Sequence, residues 1–173
     1  LSLVLLAPWV SAQQVVWEIL PTPTSGYFAT AYPFTDFDRD GYRDLIAVKV
    51  SNHLTPQYRL SVDILSGRDG RVLGSRPNWG PQGNLDIAGD HDGDGFDEFG
   101  YTDQAAYYLY SPRRQLVIQT IPGLSGGEFG RAAEPNIDLD GDGQLDFVLA
   151  TVRSFDSTLF ALDHGFALLY SIP

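Results

Sequence analysis

The chain has 173 residues, enough for one domain with its own core. It contains neither cysteine nor methionine, which excludes disulfides, thiol nucleophiles and cysteine-ligated zinc or iron–sulfur centres. Its formal net charge is −11, and no basic stripe is present to neutralise phosphates, which argues against nucleic acid as a partner.

Leu1 to Val10 is an apolar run, followed by Ser11, Ala12 and Gln13. Val10-Ser11-Ala12 has the small residues that precede a signal-peptidase cut, so residues 1–12 read as the remnant of a secretory signal peptide with Gln13 as the first mature residue. The competing reading is a hydrophobic first strand. The run is too short for a bilayer span, and nothing later approaches the ~20 apolar residues that a span needs. Val15 to Leu20 is a lone strand-like segment.

From about residue 26 onward the chain repeats itself. In the first unit a short segment within 27–35 leads to an acidic stretch at 36–44, and then to Leu45–Val50, rich in β-branched residues. Tyr58–Leu65 alternates, with Tyr58, Leu60, Val62 and Ile64 on one face and Arg59, Ser61 and Asp63 on the other, as a strand with one buried face does. The turn Ser66–Gly70 and a strand at Arg71–Leu73 complete the unit. The second unit runs through 81–89, the acidic stretch 90–98, Phe99–Tyr101, Ala106–Tyr110, the turn Ser111–Arg114 and Gln115–Ile121. The third runs through Gly127–Ile137, the acidic stretch 138–146, Phe147–Val152, Leu159–Leu162, the turn Asp163–Gly165 and Phe166–Ile172. Each unit thus has four short strands with an acidic loop between the first and the second. No useful stretch has helical periodicity, and the predicted class is all-β and antiparallel.

The acidic stretches share one pattern. Asp36-Phe-Asp-Arg-Asp-Gly-Tyr-Arg-Asp44, Asp90-His-Asp-Gly-Asp-Gly-Phe-Asp-Glu98 and Asp138-Leu-Asp-Gly-Asp-Gly-Gln-Leu-Asp146 each carry acids at loop positions 1, 3, 5 and 9 and glycine at position 6. These positions hold 12 of the 22 acidic residues, so the acidity is local to the loops and the remainder is close to neutral. Carboxylates this close repel by roughly 1 kcal/mol per pair even in water. A hard cation relieves that repulsion, and Ca²⁺ takes 6–8 oxygens from carboxylates, carbonyls and water. Glycine permits the sharp turn that aims them inward.

The loops start at residues 36, 90 and 138, a spacing of 54 and then 48 residues, and units of this size with four strands suggest β-propeller blades. The chain resembles the FG-GAP and VCBS repeats of bacterial secreted proteins and of the integrin α-subunit propeller. The third unit carries the pattern best, with Phe129 and Gly130 at the FG position, the loop at Asp138–Asp146, and Val148-Leu-Ala-Thr151 in place of the GAP segment. The second has Trp79-Gly80 for FG and Phe99-Gly-Tyr-Thr102 for GAP, and the first has Gly26-Tyr-Phe28 without an FG pair. The resemblance covers residues 13–173, with about three four-stranded antiparallel blades at 26–78, 79–126 and 127–173, an incomplete propeller. It implies Ca²⁺ held within each blade and a role in adhesion or ligand binding. Val15–Leu20 then resembles the last strand of a blade, displaced to complete the final blade of a ring.

The ligands expected for up to three Ca²⁺ are Asp36, Asp38, Asp40 and Asp44; Asp90, Asp92, Asp94 and Glu98; and Asp138, Asp140, Asp142 and Asp146, with backbone carbonyls at position 7 from Tyr42, Phe96 and Gln144. An EF-hand would need an acid at position 12, where Ala47, Tyr101 and Leu149 stand, and helical flanks, which are absent. The third loop is expected to bind most tightly, because Arg39 and Arg43 reduce the field of the first, and Glu98 and the extra acid Asp97 alter the second. In a secreted chain without disulfides the metal would act as the structural staple.

Three histidines, His53, His91 and His164, all read as surface loop residues, with no serine and acid arranged for a triad, so no catalytic role is expected. Tyr107, Tyr108 and Tyr110 are expected to pack between blades rather than to form a sugar-stacking surface. The expected function is a secreted or cell-surface calcium-binding module of bacterial type that binds a protein or glycan ligand. The alternative is a non-catalytic accessory propeller of a secreted hydrolase or polysaccharide-degrading enzyme. Three blades are too few to close a ring, so the piece is expected to expose apolar faces and to self-associate.

Overall fold

The computed structural model describes residues 26–51, 59–79, 85–102, 106–123, 128–152, 157–165 and 167–172. The signal-peptide remnant at 1–12, the segment Val15–Leu20 and His53 lie outside the described residues. Among the described residues there are twelve strands and no helix, hence none long and apolar enough to cross a membrane.

The strands form three open four-stranded sheets, each an antiparallel meander in chain order. The first comprises β1 (Tyr27–Pro33), β2 (Leu45–Ser51), β3 (Arg59–Leu65) and β4 (Val72–Trp79). The second comprises β5 (Leu85–Gly89), β6 (Glu98–Thr102), β7 (Ala106–Ser111) and β8 (Leu116–Pro122). The third comprises β9 (Glu128–Ile137), β10 (Asp146–Val152), β11 (Ser157–Leu162) and β12 (Leu168–Ile172). The acidic loops at 36–44, 90–98 and 138–146 occupy the β1–β2, β5–β6 and β9–β10 junctions.

Side-chain alternation explains the stacking. The β2–β3 ladder runs unbroken from Leu45↔Leu65 to Ser51↔Arg59. It sets Ile46 beside Ile64 and Val48 beside Val62 on one face. These residues and Phe34 pack against Leu85, Phe99 and Tyr101 of the second sheet. On the opposite side, Ala88, Tyr107, Leu109 and Ile121 pack against Phe147, Leu149 and Leu162 of the third sheet. The second sheet is therefore covered on both faces, and all five residues of β6 are buried. Burial on two faces explains why Phe99–Thr102 reads as a run rather than an alternation.

The tyrosines divide between these layers as period two requires. Tyr107 faces the third sheet, while Tyr108 and Tyr110 pack on the first-sheet side, stacked on Tyr101 at 4.9 Å and tilted on Phe99 at 5.0 Å between ring centroids. The expectation that they pack between sheets holds. Gly100 makes room for Tyr107: a Cβ at Gly100 would lie 1.6 Å from Tyr107 Oη.

Two details differ from the sequence reading. The fourth strand continues past Leu73 as far as Trp79, which pairs with Leu60, so Trp79 belongs to the first sheet rather than to the start of the second. The reason is that β3 offers a full ladder, and a register shift between Leu60 and Val62 lets β4 follow it to the end. Asp63, assigned to the polar face, is buried and accepts a 2.6 Å hydrogen bond from Ser75 Oγ, its cross-strand partner.

Candidate metal-binding loops

The three loops fold alike because the same backbone positions need the same conformations. Position 6 is left-handed in each, with φ of +90° at Gly41, +87° at Gly95 and +87° at Gly143, where a side chain would be strained. The carboxylate at position 1 then folds over the turn. Asp36 accepts from the N–H groups of Asp40 and Gly41 at 3.0 and 2.8 Å, and Asp90 from those of Asp94 and Gly95 at 3.1 and 2.9 Å. Asp138 accepts from Gly141 and Gly143 at 2.7 and 3.0 Å. At position 7, Tyr42, Phe96 and Gln144 each donate a backbone N–H to the position-5 carboxylate, at 3.0, 3.0 and 2.8 Å.

Position 9 is the most uniform element. Asp44, Glu98 and Asp146 are all 0% exposed, and each accepts a 2.7 Å hydrogen bond from the N–H of position 2, that is from Phe37, His91 and Leu139. This bond ties the start of the second strand of each sheet to the loop's entry.

The structure gathers ligand-capable oxygens within 4.8 Å of one another for Asp36, Asp38 and Asp40, for Asp90, Asp92 and Asp94, and for Asp138, Asp140 and Asp146. Positions 1, 3 and 5 thus converge in the first two loops, and positions 1, 3 and 9 in the third. Asp44 stands apart because its second oxygen already accepts from Gly67 N–H at 2.9 Å. Asp142 stands apart with its Oδ2 3.3 Å from His164 Nδ1.

The chemistry of the donor set fits a cation. Glu98 Oε1 and Asp146 Oδ1 are buried with no hydrogen-bond partner, and the equally buried Asp92 Oδ2 and Asp94 Oδ2 have only the Arg114 guanidinium facing them. Buried acceptors short of partners are costly, and Asp92, Asp94 and Glu98 of one loop share a single cationic side chain. Burial, followed by the charges of Asp92 and Asp94, pushes the Glu98 carboxyl up to about 7, against the opposing hydrogen bonds from His91 and Ser111. These groups can hold a metal ion, and every donor is a hard oxygen.

One regularity escapes the sequence reading. The hairpin turn between the third and fourth strands of each sheet places a basic residue against its own loop. Arg71 Nη2 lies 2.5 Å from Asp38 Oδ2, Arg114 Nε lies 3.0 Å from Asp92 Oδ2 and 3.9 Å from Asp94 Oδ2, and His164 meets Asp142. The signal was an arginine or histidine in or beside each turn, but its target is far away in sequence.

His91 corrects an expectation. It does not point outward. Its Nε2–H donates to Pro135 O at 2.9 Å, and its ring stacks on Phe147 at 4.6 Å. Burial holds its pKa below the usual histidine value. The second loop thereby grips the third sheet. It also touches the first loop, where Phe37 meets Phe96 edge-on at 5.6 Å and Arg39 lies 4.6 Å over the Phe96 ring. His164 is exposed in its turn, as expected.

No protein-family model matches the chain, and no match to it is found among curated proteins.

Proposed function

We propose that the chain is a calcium-stabilised β-propeller module of the FG-GAP/VCBS type from a secreted or cell-surface protein, in which three successive blades present a surface for adhesion or ligand binding. The observation that carries this reading is the set of buried carboxylate oxygens at Asp92, Asp94 and Glu98, which the single guanidinium of Arg114 leaves short of partners, inside a loop pattern that occurs three times. Asp36, Asp38 and Asp40, then Asp90, Asp92, Asp94 and Glu98, then Asp138, Asp140 and Asp146 would hold the ions, with carbonyls of Tyr42, Phe96 and Gln144 completing the shells. Ca²⁺ supplies charge neutralisation there and no reaction chemistry. The protein's own contribution is the left-handed glycine at position 6 and the buried acid at position 9, which fix the loop before an ion arrives.

Calcium is favoured over zinc by the all-oxygen donor set, and over magnesium by the number of carboxylates that one loop offers. Because such a site does not exist in the unfolded chain, binding stabilises the fold, by about 2.7 kcal/mol at a free concentration of 100 Kd. Calorimetric titration with Ca²⁺ and Mg²⁺, together with thermal melts with and without a chelator, tests the metal reading. Unchanged melting on chelation would overturn it. A glycan array probed with and without Ca²⁺ tests the ligand-binding role.

A further inference from the structure

Phe96 stands at position 7 of the second loop, where its carbonyl is an expected ion ligand, yet its side chain is only 3% exposed. The corresponding residues differ: Tyr42 is 56% exposed, and Gln144 is exposed as well. Two of the groups that cover Phe96 come from the first loop. Phe37, at position 2, meets its ring edge-on at 5.6 Å, and Arg39, at position 4, sets its guanidinium 4.6 Å from the ring centroid. Arg39 Nη2 also lies 3.9 Å from where a Cβ on Gly95, at position 6, would stand. Arg113, in the turn between β7 and β8, adds a second guanidinium 5.0 Å from the ring.

Phe37 and Arg39 alternate with Asp36, Asp38 and Asp40, the acids that converge in the first loop. Whatever fixes those acids therefore fixes the two side chains between them. Phe37 is anchored on its other side by the fully buried Phe34, at 6.3 Å between centroids. Arg39 is held at φ +59°, where the other two loops have glycine. A strained residue kept at such a contact points to a task for its side chain. The second loop meets the third unit in another way. His91 reaches Pro135 of β9 and Phe147 of β10, strand residues outside the loop at 138–146. The first contact joins loop to loop, and the second joins loop to sheet.

We infer that the first and second loops load their ions as a coupled pair, with Phe96 as the positioning residue between them, while the third loop loads independently. The inference rests on the calcium reading and extends it to how the sites communicate. Without a cation the acids of the first loop repel one another, which works against a single arrangement of residues 36–40. Neutralising them removes that bias. Phe37 and Arg39 then hold the Phe96 ring in one place, and with it the carbonyl that the second loop offers. The cost of ordering Phe96 is met once, so the second loop binds more tightly after the first is filled. Linkage makes the effect mutual. Repulsion between two bound ions acts the other way, and salt at 0.15 M screens it over about 8 Å.

The test is a Ca²⁺ titration of the full chain at 0.15 M salt, followed by NMR at the amides of Gly41, Gly95 and Gly143. Each of these N–H groups donates to the first acid of its own loop and so reports that loop alone. Asp40→Asn weakens the first loop while keeping the oxygen that accepts from Tyr42 N–H. It is expected to move the Gly95 midpoint to at least about fivefold higher Ca²⁺ and to leave Gly143 where it was. In Phe96→Leu the same substitution is expected to leave Gly95 unmoved, and Phe96→Tyr, which keeps the ring, should restore the response. If Phe96→Leu does not fold, Arg39→Gly takes its place and is expected to lessen the response. The coupling is overturned if Asp40→Asn shifts Gly95 less than about twofold, if Gly143 shifts as far as Gly95, or if the response persists undiminished in the folded uncoupling variant. In each of those cases the amides still answer to Ca²⁺ and the calcium reading stands. If none of the three amides responds up to about 10 mM, the calcium reading fails and the coupling with it.

Discussion

Glu98 Oε2 accepts a 2.7 Å hydrogen bond from the backbone N–H of His91, while Glu98 Oε1, equally buried, has no donor. The pairing holds the carboxylate in place without satisfying it. Its pKa is raised from 4.5 to about 7, chiefly by burial. An acid with a raised folded-state pKa favours the folded state while protonated. In chelated protein that contribution is complete below pH 4.5 and is lost as the pH rises through about 7. The same rise frees the carboxylate for a cation. The melting temperature of chelated protein is therefore expected to fall over this window while Ca²⁺ affinity climbs. Glu98→Gln should flatten the Glu98-dependent part of the stability profile, and a wild-type melting profile flat across the window would refute the assignment.

Arg114 competes with any cation in the second loop, since its guanidinium already faces Asp92. Replacing it with Gln removes a positive charge near the site. At surface dielectric that is worth up to about 1 kcal/mol, so Ca²⁺ affinity is expected to rise roughly two- to fivefold. Calorimetry on Arg114→Gln checks the direction. Weaker binding would instead mean that Arg114 shapes the loop.

Arg39 occupies position 4 of the first loop at φ +59°, where the other loops have Gly93 at +73° and Gly141 at +82°. A non-glycine residue there costs about 1 kcal/mol. Its side chain returns part of that through Phe96, with a cation–π contact worth about 0.5–1 kcal/mol. Arg39→Gly is expected to be nearly neutral in stability. Arg39→Ala loses the contact without relieving the backbone and should be the less stable by about 0.5–1 kcal/mol. Chemical denaturation of the two variants measures the difference.

Gly100→Ala places a methyl 1.6 Å from Tyr107 Oη, inside the layer between the second and third sheets. The ring is fully buried and cannot swing into solvent. A loss of about 2–3 kcal/mol is expected, visible as a lower denaturation midpoint. Gly74→Ala, where a Cβ meets only an ordinary contact, is the matched control.

Much of this architecture was legible in the chain. Alternation in Leu60–Ile64 and the β-branched run at Leu45–Val50 mark strands because burial on one face imposes period two. The loop pattern is legible because left-handed turns need glycine and clustered acids need an explanation. What was not legible depends on distant partners. His91 sits in a loop position that allows either direction, and Phe147 and Pro135 of the third sheet decide it. Arg71 meets Asp38 across 33 residues of sequence. Asp63 reads as polar and exposed until Ser75 is seen beside it.

Every hydrogen-bonded strand neighbour in the three sheets is also a neighbour in sequence. A crossover between genes that falls at residues 80–84 or 124–127 therefore cuts no ladder among these twelve strands. Whole units can be gained, lost or shuffled by recombination without leaving a strand unpaired, and each carries its own acidic loop with it. What such an exchange must preserve is the interface, where side chains such as His91 and Phe37 reach into the neighbouring unit.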